Sequence, residues 1–344
     1  MTTTAVRPAA RVGIIGVGVL AVLFVAGLLW AKWLPYAGKA STMATTHTWS
    51  GGAIFAKADD TPSLSGAWRF TVAYFQSVWP AALVGLVLAA AVDALVPKAW
   101  LLAALNRRSR FGQSFAGGAA SLPSLMCTCC TAPVAVGMRR RGASVAASLA
   151  YWVGNPVLNP AVLVFLFLVA PWQFGVVRLL VGTLLVFGAT AFVARFARPQ
   201  AELPDVEPER VRELPVRYLR SLARFALVLV PEYFVVVLLI GTLSGWLSDF
   251  SGLTTQLGAA AVLVCAVVGT LLVIPTGGEI PVVLALTAAG ASLGTAGALL
   301  IALPALSLPS MVMVGRALSW RVTAAMAGAV VVASLLSAVL LGLL

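Results

Sequence analysis

Charge and histidine are scarce in this sequence. Only 10% of its 344 residues are Asp, Glu, Lys or Arg, 11 of these are acidic, and His47 is the one histidine. A lone histidine without Cys or acidic neighbours makes a poor metal site, so His47 reads as a solvated loop residue. Four cysteines, three of them clustered, do not make a disulfide framework. Nor do they supply the four ligands of a structural zinc site. The G-x-x-x-x-G-K-[ST] loop that cradles phosphates is absent, which excludes ATP binding of that kind. No nucleophile, histidine base or cofactor motif appears, so the chain does not read as an enzyme and no cofactor is expected.

Apolar sequence is abundant instead: 61% of the residues are hydrophobic. Several runs exceed the roughly 18 residues that mark a membrane span, so the fold class expected is an all-α polytopic membrane protein. A net charge of +12 would suggest nucleic acid in a soluble protein. Here Lys and Arg sit in short stretches beside the apolar runs, where they set topology, and no nucleic-acid partner is expected. The first run, residues 12–35, is too long for a signal-peptide core and reads as a retained span.

The positive charges order the chain. Arg7 and Arg11 place the N-terminus in the cytoplasm, with residues 1–36 as tail and first span of a multi-pass plasma-membrane protein. Residues 37–66 hold Lys39, Lys57, Asp59 and Asp60 but no arginine, and form the external loop. Residues 70–96, interrupted by Pro80 and carrying Asp93, cross inward. Residues 111–126 are rich in Gly, Ala and Ser, which suits close helix packing. Arg110 and the triplet Arg139, Arg140 and Arg141 both read as cytoplasmic, so the chain between them enters and leaves on one side, a hairpin with Cys127, Cys129 and Cys130 at its tip. A span over 143–170 is broken at G-N-P-V-L-N-P, where two prolines free carbonyls near mid-membrane. Another span covers 174–194, and the Pro-, Glu- and Arg-rich residues 195–224 are a cytoplasmic linker. Trp30, Trp33, Trp79, Trp100, Trp152, Trp172, Trp246 and Trp320 read as an interface belt.

The rest of the chain echoes what precedes the linker. T-C-C-T-A-P from Thr128 matches T-G-G-E-I-P from Thr276, R-R-G-A-S ending at Ser144 matches A-A-G-A-S ending at Ser292, and Pro156 falls on Pro304, all at one constant offset. Pro160 pairs with Pro309 one residue later, and Pro80 with Pro231 approximately. Residues 67–194 and 225–344 are therefore expected to be two repeats. The second contains a span at 225–247, an outer loop with Asp249, Ser251 and Thr254, a hairpin at 257–290, a broken helix at 291–314 and a last span at 323–344. The first repeat starts outside and the second inside, an inverted-topology plan whose hairpin tips and broken helices meet near the midplane.

C-T-C-C-T-A-P-V-A-V-G-M-R-R-R-G-A-S followed by N-P-V-L-N-P resembles the signature of the predicted permease family that includes the ArsP-type organoarsenical efflux permeases. The resemblance is specific over 121–160 and extends over 67–344. It implies a permease, with efflux of trivalent (organo)arsenic as the best-known activity. The family's Cys-x-Cys-Gly pattern fits Cys127 and Cys129, whereas Cys130 stands where glycine is usual.

Thiolates are soft ligands that select soft metals and metalloids, so Cys127, Cys129 and Cys130 are the candidate metal and substrate ligands. Structural packing and Cys127–Cys130 redox chemistry are the alternatives. Cys265, alone in an apolar run, reads as structural. Asn155 and Asn159 either line the pathway or bond freed carbonyls, and Thr276, Gly277 and Gly278 offer a second tip to the substrate. Transport against a gradient requires coupling, a proton or ion gradient being the default. Glu279, Glu232 and Asp93 are the carboxyls in apolar sequence that could carry it. The expected partners are a small-molecule or metalloid substrate, the lipid bilayer and a second copy of the chain. An anion or a small sulfur-containing solute is the alternative cargo.

Overall fold

A computed structural model describes residues 6–49, 63–197, 211–248 and 259–344. Every regular element among them is helical, as hydrocarbon demands of a chain that must satisfy its own backbone. Six of these helices are long and apolar enough to cross a bilayer, or seven if one bent pair counts as a span. Lys57, Asp59, Asp60, Asp249, Ser251, Thr254 and residues 198–210 of the linker lie outside the described residues.

The first span runs further than its apolar stretch suggests. Helix α1 (Val6–Leu28) passes through a π-helical turn (Leu29–Trp33) into α2 (Leu34–Thr46). Pro35 does not stop it. Leu34 N–H reaches back to the carbonyl of Leu29, five residues away, and this widened turn accommodates the proline ring. The part of the expected loop from 37 to 46 is therefore helix. It ends at His47, whose φ of 51° is left-handed.

After Ser63 come α3 (Leu64–Leu95), α4 (Lys98–Leu105), α5 (Arg110–Ser121), α6 (Thr128–Arg140), α7 (Val145–Val157), α8 (Pro160–Val169) and α9 (Trp172–Thr183). Helix α9 continues through a second π turn into α10 (Thr190–Val193). Helix α11 (Leu214–Ser248) starts inside the expected linker and is followed by α12 (Ala259–Leu271), α13 (Glu279–Ala288), α14 (Leu293–Ala305), α15 (Leu308–Ala317) and α16 (Trp320–Leu343). The same order of shapes occurs twice: a long helix with an internal proline, two short helices joined at a tip, a span interrupted at prolines, and a closing span. The α14–α15 pair bends by 47° at its break.

Local chemistry repeats with it. Gly142 and Gly290, with φ of 93° and 87°, reverse the chain after α6 and α13. Ser144 and Ser292 then cap α7 and α14 by accepting the amides of Ala147 and Thr295. The short arms α5, α6, α12 and α13 contain 12, 13, 13 and 10 residues. At about 1.5 Å per residue, none spans a hydrocarbon core of about 30 Å.

Helix α3 lies along α11, α5 packs on α7, and α12 and α16 pack on α14; α7 and α9 also meet α14, while α6 meets α15. Missing side chains make these approaches possible. A Cβ at Gly117 would collide with the carbonyl of Ala147, and one at Gly85 would lie 2.5 Å from the carbonyl oxygen of Cys130. Trp30, Trp79, Trp100, Trp172 and Trp320 are exposed, as a belt requires, but Trp152 is fully buried in the core. Substituting Gly117→Leu is expected to overpack the α5–α7 contact by at least about 1–3 kcal/mol and sharply lower the thermal midpoint of the purified protein in detergent. Gly18→Ala, at a position with nothing within 4 Å, is expected to leave that midpoint unchanged.

Candidate functional site

The α7–α8 break leaves backbone groups that must find partners. Pro156 and Pro160 lack amide hydrogens, which strands the carbonyls of Trp152 and Pro156 one turn upstream. The Trp152 carbonyl accepts Thr131 Oγ1 at 3.2 Å. The Pro156 and Val157 carbonyls accept Nη2 and Nε of Arg178 at 2.8 and 3.0 Å. Asn159 caps α8, its Oδ1 taking the amides of Ala161 and Val162. Asn155 Oδ1 accepts the amide of Met126 at 2.7 Å and so pins the first hairpin tip.

Arg178 is fully buried in α9. Its remaining nitrogen, Nη1, lies 2.6 Å from Oε1 of Glu279, at the start of α13. A guanidinium has a fork of donors and no acceptor, so one side chain closes two carbonyls and meets a carboxylate at once. The second hairpin tip is thereby fastened to the first break. A reciprocal contact exists: Ser307, in the α14–α15 break, approaches Thr128 Oγ1 at 3.2 Å and Cys129 Sγ at 3.0 Å on the first tip.

The thiols occupy that first tip. Cys127 is the N-cap of α6 and Cys130 lies one turn in, with their sulfurs 3.2 Å apart. Cys129 contacts Ser307 and the hydroxyl of Tyr74, which in turn accepts Tyr233 Oη at 2.8 Å. All three are buried and reduced. Among the described residues no group of three or more Cys, His, Asp or Glu is arranged to hold a metal ion. The Cys127 and Cys130 sulfurs are the pair in direct contact.

Above Cys127 lies a cavity of about 390 Å³, walled by the first helix, by α3 around Ser77 and Pro80, and by Thr276 and Gly278 of the second tip. Gly277, between them, has a φ of 81°. Lys32, in the π turn, is 7% exposed and donates to Tyr36 Oη at 3.0 Å and Thr276 Oγ1 at 3.1 Å. Asn155, Asn159 and Glu279 do not line this cavity.

The other two carboxyls are at different places. Glu232 pairs with Arg316 at 3.1 Å, across α11 and α15. Asp93 accepts Ser221 Oγ at 2.6 Å in a pocket shared with Arg141, Arg217, Arg220 and Arg224. Of the arginine triplet, Arg139 bonds the Ala143 carbonyl, Arg140 covers the Phe225 ring and Arg141 bonds the Asp93 carbonyl. His47 sits with Nδ1 3.3 Å from the Leu168 carbonyl, and Cys265 is buried in α12.

Lys32 and Arg178 escape the sequence analysis, although each is a lone cation inside an apolar run, in L-L-W-A-K-W-L and F-G-V-V-R-L-L. Such a charge signals a buried partner or a cavity.

A family model described as a predicted permease, ArsP_1, matches residues 63–343. The UPF0718 protein YraQ of Escherichia coli (strain K12) is 41% identical over 298 residues, covering 85% of each chain. No solved structure matches the chain significantly.

Removing one partner of the buried Arg178–Glu279 pair, as in Arg178→Met or Glu279→Leu, is expected to cost about 3–5 kcal/mol. The double variant is expected to be more stable than Arg178→Met, read as thermal midpoints of the purified protein.

Proposed function

The chain belongs to the ArsP_1 family of predicted permeases, and on that premise we propose that it exports a thiol-reactive metalloid, trivalent organoarsenicals being the class its site suits best. The observation that carries this is Cys127, which lines a cavity between the helices, with the Cys130 sulfur 3.2 Å behind its own. A trivalent arsenical R–As(OH)₂ reacts with two thiols to give R–As(SCys)₂ and two waters, with no change of oxidation state. Soft sulfur suits soft arsenic, and the reverse reaction with water releases the cargo. Two thiols suffice to hold it reversibly, and Cys129 also contacts Ser307 and Tyr74.

The charge pattern supports an inverted repeat. By the positive-inside rule Arg139–Arg141, Arg224, Arg316 and Arg321 read as cytoplasmic, and the cavity is lined by Lys39 and Trp49 of the segment read as external. The reciprocal contacts of tips and breaks suit two halves that rock about a midplane site. Among the candidate coupling carboxyls, Glu279 joins parts from both halves through Arg178, so a proton or ion that competes for this pair would bias their movement. Glu232 and Asp93 have partners nearer the ends of the spans.

A membrane thiol oxidoreductase is the second reading, favoured by Cys127 at a helix N-terminus with Cys130 one turn in. Cells expressing the wild type are expected to accumulate less methylarsenite than control cells. Cys127→Ser and Cys130→Ser should abolish the difference at equal membrane expression, while Cys129→Ser retains part of it. No effect of the wild type on accumulation of methylarsenite, arsenite, zinc or copper would remove the export reading. A reversible Cys127–Cys130 disulfide in that case would establish the redox one.

A further inference from the structure

Among the described residues, two lysines line the cavity and no carboxylate does. Lys32 is buried with its ammonium held by two neutral hydroxyls, Tyr36 and Thr276. Lys39, seven residues along the same helix, lines the cavity too, with its Nζ 6.0 Å from the centroid of Trp49. Neither lysine forms an ion pair among the described residues. Elsewhere the chain treats a buried cation differently: Arg178 has its carboxylate within 2.6 Å. Among the described residues Cys127 is the thiol that lines the cavity with the two lysines. Lys32 is therefore a buried cation without a described counter-charge, a costly arrangement, and the exposed Lys39 adds a second positive charge at the cavity.

We propose that this cavity is an anion site, and that among thiol-reactive cargoes it favours those bearing a carboxylate, sulfonate or oxyanion group, which sits against Lys32 and Lys39 while the soft centre meets Cys127. The volume, about 390 Å³, lies at the small end of ligand pockets. Thr276 Oγ1 and Tyr36 Oη already orient the Lys32 ammonium, so the cation is positioned before the anion arrives. Both lysines precede the residues matched by the family model, 63–343. The charge selectivity is thus assigned to the N-terminal helix, outside the matched residues. The inference rests on the permease reading of the same cavity and adds the sign of the cargo.

The test uses Cys127 as reporter in full-length protein carrying Cys129→Ser, Cys130→Ser and Cys265→Ser, purified in detergent. Its thiolate attacks a methanethiosulfonate, forming a mixed disulfide and expelling methanesulfinate. Rates with the anionic sulfonatoethyl reagent and the cationic trimethylammonioethyl reagent are each divided by that reagent's rate with a free thiol in solution. An anion site is expected to favour the anionic reagent at least about tenfold, the lower range of electrostatic focusing in a cleft. Lys32→Met should remove most of that preference, Lys39→Met part of it, and Lys32→Arg none. Added salt should reduce the wild-type preference, a readout that needs no lysine variant to fold. Equal normalised rates, a cationic preference, or a preference unchanged by Lys32→Met or by salt would overturn the proposal. Failure of the export reading is a separate result, seen as methylarsenite accumulation that does not depend on Cys127.

Discussion

A carbonyl stranded in hydrocarbon has no water to turn to, and the guanidinium of Arg178 closes two of them. That interaction permits α7 and α8 to part near mid-membrane. It also introduces a buried positive charge, which Glu279 neutralises from the second hairpin tip. Position of the tip, integrity of the break and contact between the two sets of helices are thus one electrostatic problem with one solution. Replacing the pair by apolar residues need not unfold the protein, since buried ion pairs are often matched by good packing. Removing one member leaves the other exposed to a medium that cannot solvate it.

The thiol tip is held by the same economy of backbone groups. Asn155 takes the amide of Met126, Thr131 takes the carbonyl freed by Pro156, and Gly85 lets α3 touch the carbonyl of Cys130. Cys127 therefore presents its sulfur from a fixed frame, and the Cys127–Cys130 separation is set by a helical turn. Cys129, next to Cys130 and two residues from Cys127, joins the polar chain of Ser307, Tyr74 and Tyr233.

Much of this was legible in the sequence where the physical cause is local. Long apolar runs give the all-helical membrane class, prolines mark the breaks, and the shared G-A-S segments mark the turns after both hairpins, with Gly142 and Gly290 left-handed. Pro35 misleads because a π turn absorbs it, which no residue-by-residue rule signals. The pairings that build the site were not legible. Arg178 and Glu279 are 101 residues apart, and Lys32 and Thr276 are 244 apart. A single sequence shows that each is polar in apolar surroundings, but not which meets which. Asn155 and Asn159 illustrate the point: their residue type fits a pathway or a cap, and only geometry assigns their oxygens to the backbone.

The two walls of the cavity are held with unequal firmness. On the thiol side, backbone contacts from three helices fix Cys127. On the opposite side stands a helix of which the span Val12–Thr46 has only 22% of its most apolar window buried inside the protein. The cavity is accordingly a vice with one fixed jaw and one sprung jaw, and the sprung jaw carries the lysine charge. A bulkier occupant of the cavity would displace that helix at less cost in buried contacts than the sulfur end.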